Sequence, residues 1–527
     1  MSIEVRPVGV TCNLRCSYCY EQSARDIEPV HRYNKSAVLA QLSKVDHQWS
    51  LFGGEALLVP IPDLEELLQI GFEQWGATGV QTNGTLITTA HIDLFEKYKT
   101  HVGISLDGPD ELNDSRWAGT VEATRNMTKR TLSAIDMLLD RATATNNTSL
   151  IPSLIITLHA GNASVDRWPR MKEWLIDLDR RGLTNINFHL MELDFQATKG
   201  SEWYLPHERL KEVMLDLWDL STKFDSVQVS NFREIVSLLR SDDQHVTCVW
   251  HACDPWNTAA VQGLEGDGAP SHCTRTNKDG IEWTPAEGAG QETEWQIGNF
   301  PKSNRHRERQ LSLYVTPQEH GGCKDCRFWV MCMGQCPGTA EESVDGQPGD
   351  WRLRSTYCQT WKDLFEEGER RLLEIGEIPL SMNPNLKEIE QVMYDGWTEG
   401  SKEVRVGTAI REVKENMNMQ DVLLPLNIPH GDHMDHHGDH INVTAVVEND
   451  LDIPHGDHVD MSIQNIPHGD HDVISPDNGD KHGDHLDMPI PNTEHGDQHG
   501  DQHGDHTDTA NQRGRRRNSF AGNERLW

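Results

Sequence analysis

Three cysteines near the start of the chain have the spacing of a metal-binding loop. Cys12, Cys16 and Cys19 stand in CNLRCSYCY with the pattern C-x3-C-x2-C, directly after the apolar run VRPVGV, which predicts a strand. Iron–sulfur clusters are normally held by four thiolates, so three on one loop favour a four-iron cluster with one iron left for another ligand. A partial zinc site is the alternative, but zinc ligands usually come in pairs.

Elements that could position this loop recur along the first part of the chain. The candidate strands are WSLFGGE at 49–55, GVQTNGTLI at 79–87, VGISLDGP at 102–109, SLIITLH at 153–159 and INFHLME at 186–192. Helices are predicted between them, at 61–75 and 124–142. Strands that alternate with helices predict parallel β/α units, with active residues at the carboxyl ends of the strands.

Together, the cysteine triad, FGGE, QTNGT and SLDGP resemble the motifs of radical S-adenosylmethionine (SAM) enzymes. The resemblance implies that Cys12, Cys16 and Cys19 hold a [4Fe-4S] cluster whose open iron binds the amine and carboxylate of SAM. It also implies a set of SAM-binding residues, namely Tyr18, Gly53, Gly54, Glu55, Ser105 and Asp107. In such enzymes one electron from the cluster cleaves SAM and leaves a 5'-deoxyadenosyl radical, which abstracts hydrogen from an unactivated carbon. We therefore expect a radical SAM oxidoreductase, with flavodoxin or ferredoxin as the kind of electron donor.

The remaining eight cysteines resemble, in their order, a SPASM domain, the extension of radical SAM enzymes that modify peptides and proteins. CKDCRFWVMCMGQC gives C-x2-C-x5-C-x3-C, and further cysteines precede and follow it. By this resemblance, a first auxiliary [4Fe-4S] cluster is held by Cys248, Cys253, Cys273 and Cys336, and a second by Cys323, Cys326, Cys332 and Cys358. Three clusters in total would use all eleven cysteines. The expected role of the two auxiliary clusters is electron transfer, and a structural role is the alternative.

These assignments predict an α/β fold, in which a partial (β/α)6 TIM-like radical SAM barrel precedes a loop-rich SPASM iron–sulfur domain and a disordered C-terminal tail. The expected segments are a radical SAM core at 1–235, a SPASM auxiliary-cluster domain at 236–378, a linker or leader-like segment at 379–426 and the tail at 427–527. For the third segment, a final SPASM helix followed by a linker is an equal alternative.

Composition limits the classes of partner. The net charge of -35 at pH 7 leaves no basic face except the short run RGRRR at 513–517, which argues against nucleic acid. The start of the chain lacks the features of a signal peptide, and no run of about 20 apolar residues could span a membrane. We therefore expect a soluble, cytoplasmic protein, in which cysteines are metal ligands or catalytic thiols rather than disulfides.

The tail repeats the tripeptide His-Gly-Asp eight times. The units begin at His430, His437, His455, His468, His482, His495, His499 and His503, at intervals of 4 to 18 residues, which is too uneven for a stacked solenoid. The residue after the unit is His in six cases and Gln in two, whereas Gly-Asp is kept in all eight. Residues 427–506 contain no Cys, Phe, Tyr or Trp and are too polar to bury a core.

The constant Gly-Asp pair favours a peptide substrate over a metal store, because metal binding requires the imidazoles alone. A unit that begins with an aromatic ring resembles the substrates of cyclophane-forming SPASM enzymes, which join a ring carbon of residue one to the β-carbon of residue three. We hypothesise that the radical takes hydrogen from the Asp β-carbon, which then bonds to the imidazole; epimerisation is the nearest chemical alternative. The third residues of the units, in order, are Asp432, Asp439, Asp457, Asp470, Asp484, Asp497, Asp501 and Asp505.

The substrate would be the enzyme's own tail, in cis, or a similar free peptide in trans, and a tether would raise the effective concentration of the substrate.

The alternative function is a sulfatase-maturing enzyme that makes formylglycine, with a metal-binding His-rich tail, because CNLRCSYCYE, QTNGTLI and SLDGP most resemble that branch. The chain differs from it at Thr274, where the branch has an acidic residue, and at Phe52, where it has Gln. The general acid or base is not identified; the candidates at the sixth strand are His189, Glu192 and Asp194.

Overall fold

The computed structural model describes a large part of the chain. The described residues are 2–21, 33–45, 47–193, 199–244, 246–250, 261–273, 275, 304–340, 351–399 and 406–416. Contacts divide the chain into two units, Met1–Met434 and Asp435–Trp527. The second unit, and with it most of the His-Gly-Asp tail, lies outside the described residues, as do all sixteen predicted substrate positions.

Six consecutive parallel strands form the centre of the first unit. They are β1 (Ser2–Arg6), β2 (Trp49–Leu51), β3 (Thr78–Thr82), β4 (Thr100–Ser105), β5 (Ser153–Leu158) and β6 (Asn185–Leu190). Their spatial order follows the sequence, and every neighbouring pair is parallel. In the register, Ile3 faces Trp49 and Val80 faces Val102. This arrangement confirms the predicted α/β fold with a (β/α)6 core.

Three short strands extend both edges of the sheet. They are β7 (Gln228–Val229), which pairs with β6, and β8 (Val261–Glu265) and β9 (Pro270–His272). β8 runs parallel to β1, and β9 pairs antiparallel with β8. Residues from the expected auxiliary-cluster segment therefore continue the sheet of the core.

Helices cover the strands. In chain order they are α1 (Lys35–Leu42), α2 (Ile61–Trp75), α3 (Thr89–Lys97), α4 (Val121–Thr145), α5 (Ala160–Ala163), α6 (Trp168–Arg180), α7 (His207–Ser221), α8 (Ser230–Leu239), α9 (Asn304–Val315), α10 (Trp329–Cys332), α11 (Cys358–Glu374), α12 (Leu386–Glu399) and α13 (Val406–Asn416). α2 buries Leu64, Leu67 and Leu68 on one face and is capped at its C-terminus by Gly76, whose φ of 75° suits glycine. A parallel sheet needs such cover because its strands are apolar on both faces.

The first predicted strand is displaced in the structure. VRPVGV, residues 5–10, was expected to be extended, but β1 ends at Arg6 and residues 7–10 form turns. Pro7 has no N–H for the ladder, and the Gly9 N–H bonds instead to the Arg6 carbonyl at 3.0 Å, with Gly9 at a φ of 57°. The turn lets the cysteine loop begin directly at the carboxyl edge of the sheet.

Regular structure lies at one of the expected segment boundaries and inside one of the expected segments. The boundary between 235 and 236 falls inside α8, and the segment expected at 379–426 contains α12 and α13. These two helices pack on each other and α12 packs on α9. Ile389, Met393 and Ala409 are buried in their contact faces. Within the described residues, no helix is both long enough and apolar enough to cross a membrane.

Candidate active site

A cavity of about 380 Å³ lies at the carboxyl ends of the strands. The loops after β1, β2, β3, β4, β5 and β6 meet there, because all six strands point the same way. Its wall contains the cysteine triad and three further cysteines from the second half of the chain; these are Cys12, Cys16, Cys19, Cys248, Cys273 and Cys336. The structure thus brings two predicted cysteine sets to one cavity.

The triad loop is fixed by backbone hydrogen bonds to the segment after β4. The Arg15 N–H bonds to the Trp117 carbonyl at 2.7 Å, and the Ser17 N–H bonds to the Ser115 carbonyl at 2.8 Å. Burial raises the pKa of the Cys16 thiol to about 12, and the neighbouring cysteines add to this effect. A buried group of thiols ionises only when a cation is bound, so the loop suits a metal cluster.

Two glycines after β2 let that loop lie against the cysteine loop. Gly53 has a φ of 110°, and a Cβ there would come within 2.4 Å of the Gly9 carbonyl oxygen. A Cβ on Gly54 would come within 2.3 Å of the Thr11 oxygen. The Gly54 N–H bonds to the Gly9 carbonyl and the Glu55 N–H to the Thr11 carbonyl, each at 2.9 Å. Both glycines line the cavity, as expected for residues that a ligand approaches closely.

Glu55 stands behind the cavity wall. Its carboxylate accepts hydrogen bonds from the Leu57 N–H at 3.0 Å, and from the Thr82 hydroxyl and the Asn83 N–H, each at 2.7 Å. The residue is fully buried, which raises the pKa of its carboxyl group. In this structure Glu55 therefore joins the loops after β2 and β3 and is not among the lining residues.

Asp107 is also buried behind the wall. Its carboxylate accepts from the Tyr18 hydroxyl and from the Ser115 hydroxyl at 3.3 Å, and it lies 3.5 Å from His159 Nε2. Arg116 Nη1 donates to the Tyr18 oxygen at 2.8 Å. Burial opposes ionisation of Asp107, but Arg116 and the hydrogen bonds outweigh it and hold the pKa of the carboxyl below its ordinary value. Tyr18 lines the cavity, and Asp107 orients it.

Ser105, the last residue of β4, does face the cavity. Its hydroxyl accepts a hydrogen bond from Gln81 Nε2 at 2.9 Å. The predicted SAM-binding set is therefore divided. Tyr18, Gly53, Gly54 and Ser105 line the cavity, whereas Glu55 and Asp107 support it from behind.

Another part of the cavity wall, the auxiliary side, carries the cysteines expected for the first auxiliary cluster. Cys248, Cys273 and Cys336 line it, and Cys253 lies outside the described residues. Burial raises the pKa of the Cys273 and Cys336 thiols, and the three groups act on one another electrostatically. Three cysteines from distant parts of the sequence thus gather as one buried thiol group.

The four cysteines expected for the second auxiliary cluster form a separate group. Cys323, Cys326, Cys332 and Cys358 line one small, largely apolar cavity. Burial raises the pKa of the Cys323 thiol to about 12 and that of the Cys332 thiol well above its ordinary value, and nearby cysteines contribute to both shifts. Four thiols gathered around one largely apolar cavity fit a bound metal cluster better than free cysteines.

Among the described residues, no three His, Cys, Asp or Glu side chains converge as ligands of one metal ion. The cysteines of an iron–sulfur cluster bind different irons, so they surround a larger group than one ion does.

Arg275 is a charged group of the cavity that was not predicted. Arg275, two residues after Cys273, forms an ion pair from Nε to Glu192 Oε1 at 2.9 Å, and its Nη2 lies 2.9 Å from His189 Nδ1. Burial and the charge of Arg275 lower the pKa of His189 to about 3, so the imidazole is neutral at physiological pH. His189 and Glu192 line the cavity, whereas Asp194 lies outside the described residues.

Sequence reasoning missed both cationic residues of the wall. Arg116 follows a polar stretch with no motif of its own, so nothing in the sequence marked it. Arg275 did carry a signal, because it stands two residues after an expected cluster ligand and next to Thr274, a position compared with other enzymes. Phe52 lines the cavity, and Thr274 lies outside the described residues.

Comparison with known proteins decides the class. The Radical SAM superfamily matches residues 7–155, which run from the end of β1 into β5 and carry the triad. The chain therefore contains a radical SAM domain. The cysteine-type anaerobic sulfatase-maturating enzyme of Clostridium perfringens (strain 13 / Type A) is 22% identical over 403 residues, which cover 71% of this chain and 98% of that protein.

Two further comparisons extend this relation. The serine-type anaerobic sulfatase-maturating enzyme of Bacteroides thetaiotaomicron is 30% identical over 133 residues, 21% of this chain and 30% of that protein. Among solved structures, native anSMEcpe with bound AdoMet and Cp18Cys peptide aligns with a TM-score of 0.51 at 18% identity, over 71% of this chain and 98% of that one. The radical SAM enzyme described here shares that fold.

Proposed function

We propose that this radical SAM enzyme modifies a ribosomally made peptide, its own His-Gly-Asp tail, by joining an imidazole ring carbon of the first residue of the unit to the β-carbon of the Asp at the third position. The observation that carries the proposal is the eightfold repeat of an unchanged Gly-Asp pair in the same chain as a radical SAM domain. The related structure with AdoMet and a peptide supports a cavity that accommodates both. Cytoplasmic location and a flavodoxin or ferredoxin donor belong to the same proposal.

The triad side of the cavity is the proposed place of SAM and its cluster. Cys12, Cys16 and Cys19 would hold the cluster, and Gly53 and Gly54 would let SAM approach the backbone. When bound, these groups supply a radical that takes one hydrogen atom from the substrate, and the auxiliary clusters supply an acceptor for one electron. The chain's own part is to hold Tyr18 and Ser105 toward the ligand, with Asp107 and Glu55 fixing the loops from behind.

The auxiliary side of the cavity is the proposed exit for the electron. We assign Cys248, Cys253, Cys273 and Cys336 to the first auxiliary cluster, and Cys323, Cys326, Cys332 and Cys358 to the second. Three of the first set face the main cavity and the second set lies in its own cavity. The first set is therefore the one that would be adjacent to substrate.

The cross-link removes two hydrogens from each unit. One leaves the Asp β-carbon as a hydrogen atom, and the other leaves the imidazole ring as a proton together with one electron. The proton requires an acceptor in the cavity. Glu192, which is paired with Arg275, lines the cavity and is the candidate acceptor, whereas the lowered pKa of His189 makes its imidazole a weak base.

The segment between the catalytic part and the repeats supports action in cis. α12 and α13 are packed as folded helices, with Met393 and Trp397 buried, so the repeats are tethered to the enzyme by the chain after α13. A tether gives a substrate a high effective concentration without tight binding. The leader-like role of 379–426 remains part of this proposal.

Tandem mass spectrometry of the tail tests the function. Full-length enzyme would be reconstituted anaerobically with iron and sulfide, given SAM and reductant, and digested. We expect losses of about 2 Da within His-Gly-Asp units, because two hydrogens leave, and no losses in a variant with Cys12, Cys16 and Cys19 changed to Ala. SAM cleavage with a tail of unchanged mass and stereochemistry would reject the proposal.

A sulfatase-maturing function is the second candidate. It is favoured by the Clostridium perfringens relative, which is 22% identical to this chain over 98% of its own length. Thr274 and Phe52 weigh against it, because both differ from the residues expected of that branch. The two candidates separate on substrate. A synthetic Cys or Ser sulfatase peptide would become formylglycine under the second, and shortening the tail would leave that activity unchanged.

A further inference from the structure

Arg275 is held in the cavity by two groups that leave part of its guanidinium open. Nε faces Glu192 and Nη2 faces the Nδ1 of the neutral His189, each at 2.9 Å. A guanidinium has five N–H donors, and these contacts use only two. Within the described residues, Nη1 makes no hydrogen bond, and 24% of the side chain is exposed, toward the cavity that it lines.

The two contacts also fix the direction of the open edge. Glu192 occupies the Nε side, so the free donors are those of Nη1 and the second N–H of Nη2. The Nη1–Nη2 edge is a two-pronged donor that matches the two oxygens of a carboxylate. The Tyr20 ring limits the remaining movement, because its centroid lies 5.8 Å from the guanidinium carbon.

The charge around the cavity makes this edge distinctive. Among the described lining residues, only Arg116 and Arg275 carry a fixed positive charge. Arg116 lies on the triad side and donates to Tyr18, 3.8 Å from Asp107. On the auxiliary side, Arg275 is therefore the group that an incoming anion would meet.

We propose that Arg275 binds the Asp carboxylate of each His-Gly-Asp unit through its Nη1–Nη2 edge and so determines substrate specificity. The inference rests on the proposed function and names the group that recognises the substrate. It explains why Asp is kept in all eight units while the following residue changes between His and Gln. Because the β-carbon is bonded to the carboxylate carbon, holding the carboxylate also holds the reacting carbon.

The position of Arg275 suits this role. Tyr20 directly follows Cys19 of the triad loop, and Arg275 stands two residues after Cys273. A carboxylate held by Arg275 therefore lies between the loop that carries the triad and the loop that carries an auxiliary cysteine. His189 and Glu192 position the guanidinium, and Arg275 itself contacts the substrate.

The test compares two units within one full-length chain. Asp457→Asn changes one unit and keeps its β-carbon, while the unit at His468–Asp470 serves as the internal reference. In a reaction stopped early, tandem mass spectrometry gives the modification of the changed unit relative to the reference. With Arg275 present, we expect this ratio to fall about tenfold or more, because a charged hydrogen-bond partner has been lost.

Arg275→Gln should slow the modification of both units. It should also bring the ratio of changed to reference unit back close to that of the unsubstituted tail. Arg275→Lys keeps the positive charge but lacks the two-pronged donor, so it should retain part of the discrimination between Asp and Asn. Arg181→Gln, which changes an arginine paired with Asp136 and Asp177, is the matched control and should leave the ratio as it was. Iron content and SAM cleavage confirm that each variant is loaded.

The outcomes separate the two levels of inference. If units are modified but Arg275→Gln leaves the discrimination intact, or if the enzyme with Arg275 modifies the changed unit as fast as the reference, the role of Arg275 is overturned. If no unit is modified while SAM is cleaved, the self-modifying function fails and takes this inference with it.

Discussion

The two sides of the cavity are built in different ways. The triad side comes from the ends of consecutive strands, and its cysteines lie within eight residues of one another, from Cys12 to Cys19. The auxiliary side gathers Cys248, Cys273 and Cys336 from distant parts of the chain. The triad loop can be identified from the spacing of its cysteines in the sequence alone. The auxiliary side cannot, because its cysteines meet only when the second half of the chain folds back.

Charge is also distributed differently on the two sides. Asp107, which is buried, and Arg116, which lines the cavity, are bridged by Tyr18 on the triad side, so that side satisfies its charges internally. On the auxiliary side Arg275 is paired with Glu192, and within the described residues it keeps donors open to the cavity. The triad side is suited to a constant cofactor, and the auxiliary side to a substrate that arrives and leaves.

Removing one cysteine from the triad and one from the second auxiliary group should have the largest effects. We expect Cys16→Ser to abolish SAM cleavage and to lower the iron content, because an iron of the cluster loses its thiolate. Cys332→Ser should retain SAM cleavage and lose tail modification, because Cys332 lies in the separate cavity. Measured 5'-deoxyadenosine, iron content and tail mass distinguish the two. Equal loss of SAM cleavage in both variants would contradict the separation of the sites.

The glycine contact between the loops gives the next largest effect. Gly54→Ala places a Cβ within 2.3 Å of the Thr11 oxygen, a backbone atom, so we expect a loss of more than about 3 kcal/mol in unfolding free energy. Gly407→Ala is the matched control, since no atom lies within 4 Å of its Cβ and α13 should gain at most about 1 kcal/mol. Denaturant unfolding of the holoenzyme measures both. Similar midpoints for the two variants would mean that the loops separate easily.

Tyr18→Phe should have a smaller effect on the triad side. The change removes the hydroxyl between Arg116 and Asp107, which are 3.8 Å apart and can approach each other. We expect a loss of about 1.5–3 kcal/mol in stability, since hydrogen bonds to charged groups are in this range. The KM for SAM should rise because the ring loses its fixed position. An unchanged stability would show that the ion pair alone holds this side.

The place of the triad-side motifs at the edge of the sheet could be predicted from the sequence, whereas the gathering of the auxiliary-side residues could be predicted only in part. Each triad-side motif follows a strand, so its place at the sheet edge follows from parallel topology, and α2 was predicted with its observed bounds, Ile61–Trp75. The inward or outward direction of a side chain was not predictable in the same way. Glu55 and Asp107 are turned into hydrogen-bond networks by partners such as Thr82 and His159, which no local pattern reveals.

Arg275 escaped prediction for a different reason. Its partners His189 and Glu192 come from the end of β6, far away in the sequence, so their meeting depends on the tertiary fold. The packed helices of 379–426 show the same limit, because their amphipathic pattern is typical of a leader segment and of a final domain helix alike.

The pH dependence of substrate discrimination should show the smallest effect. His189 has a pKa of about 3, against an ordinary value of about 6.5, because burial and Arg275 disfavour its charged form. A histidine with a lowered pKa contributes stability that is present above its ordinary pKa and lost as the pH falls below it, because only the unfolded chain then binds the proton. Between pH 6 and pH 8 the imidazole stays neutral and continues to accept from Arg275. The ratio of Asp457→Asn to reference modification should therefore be constant across this range, and a step near pH 6.5 that disappears in His189→Asn would contradict the assignment.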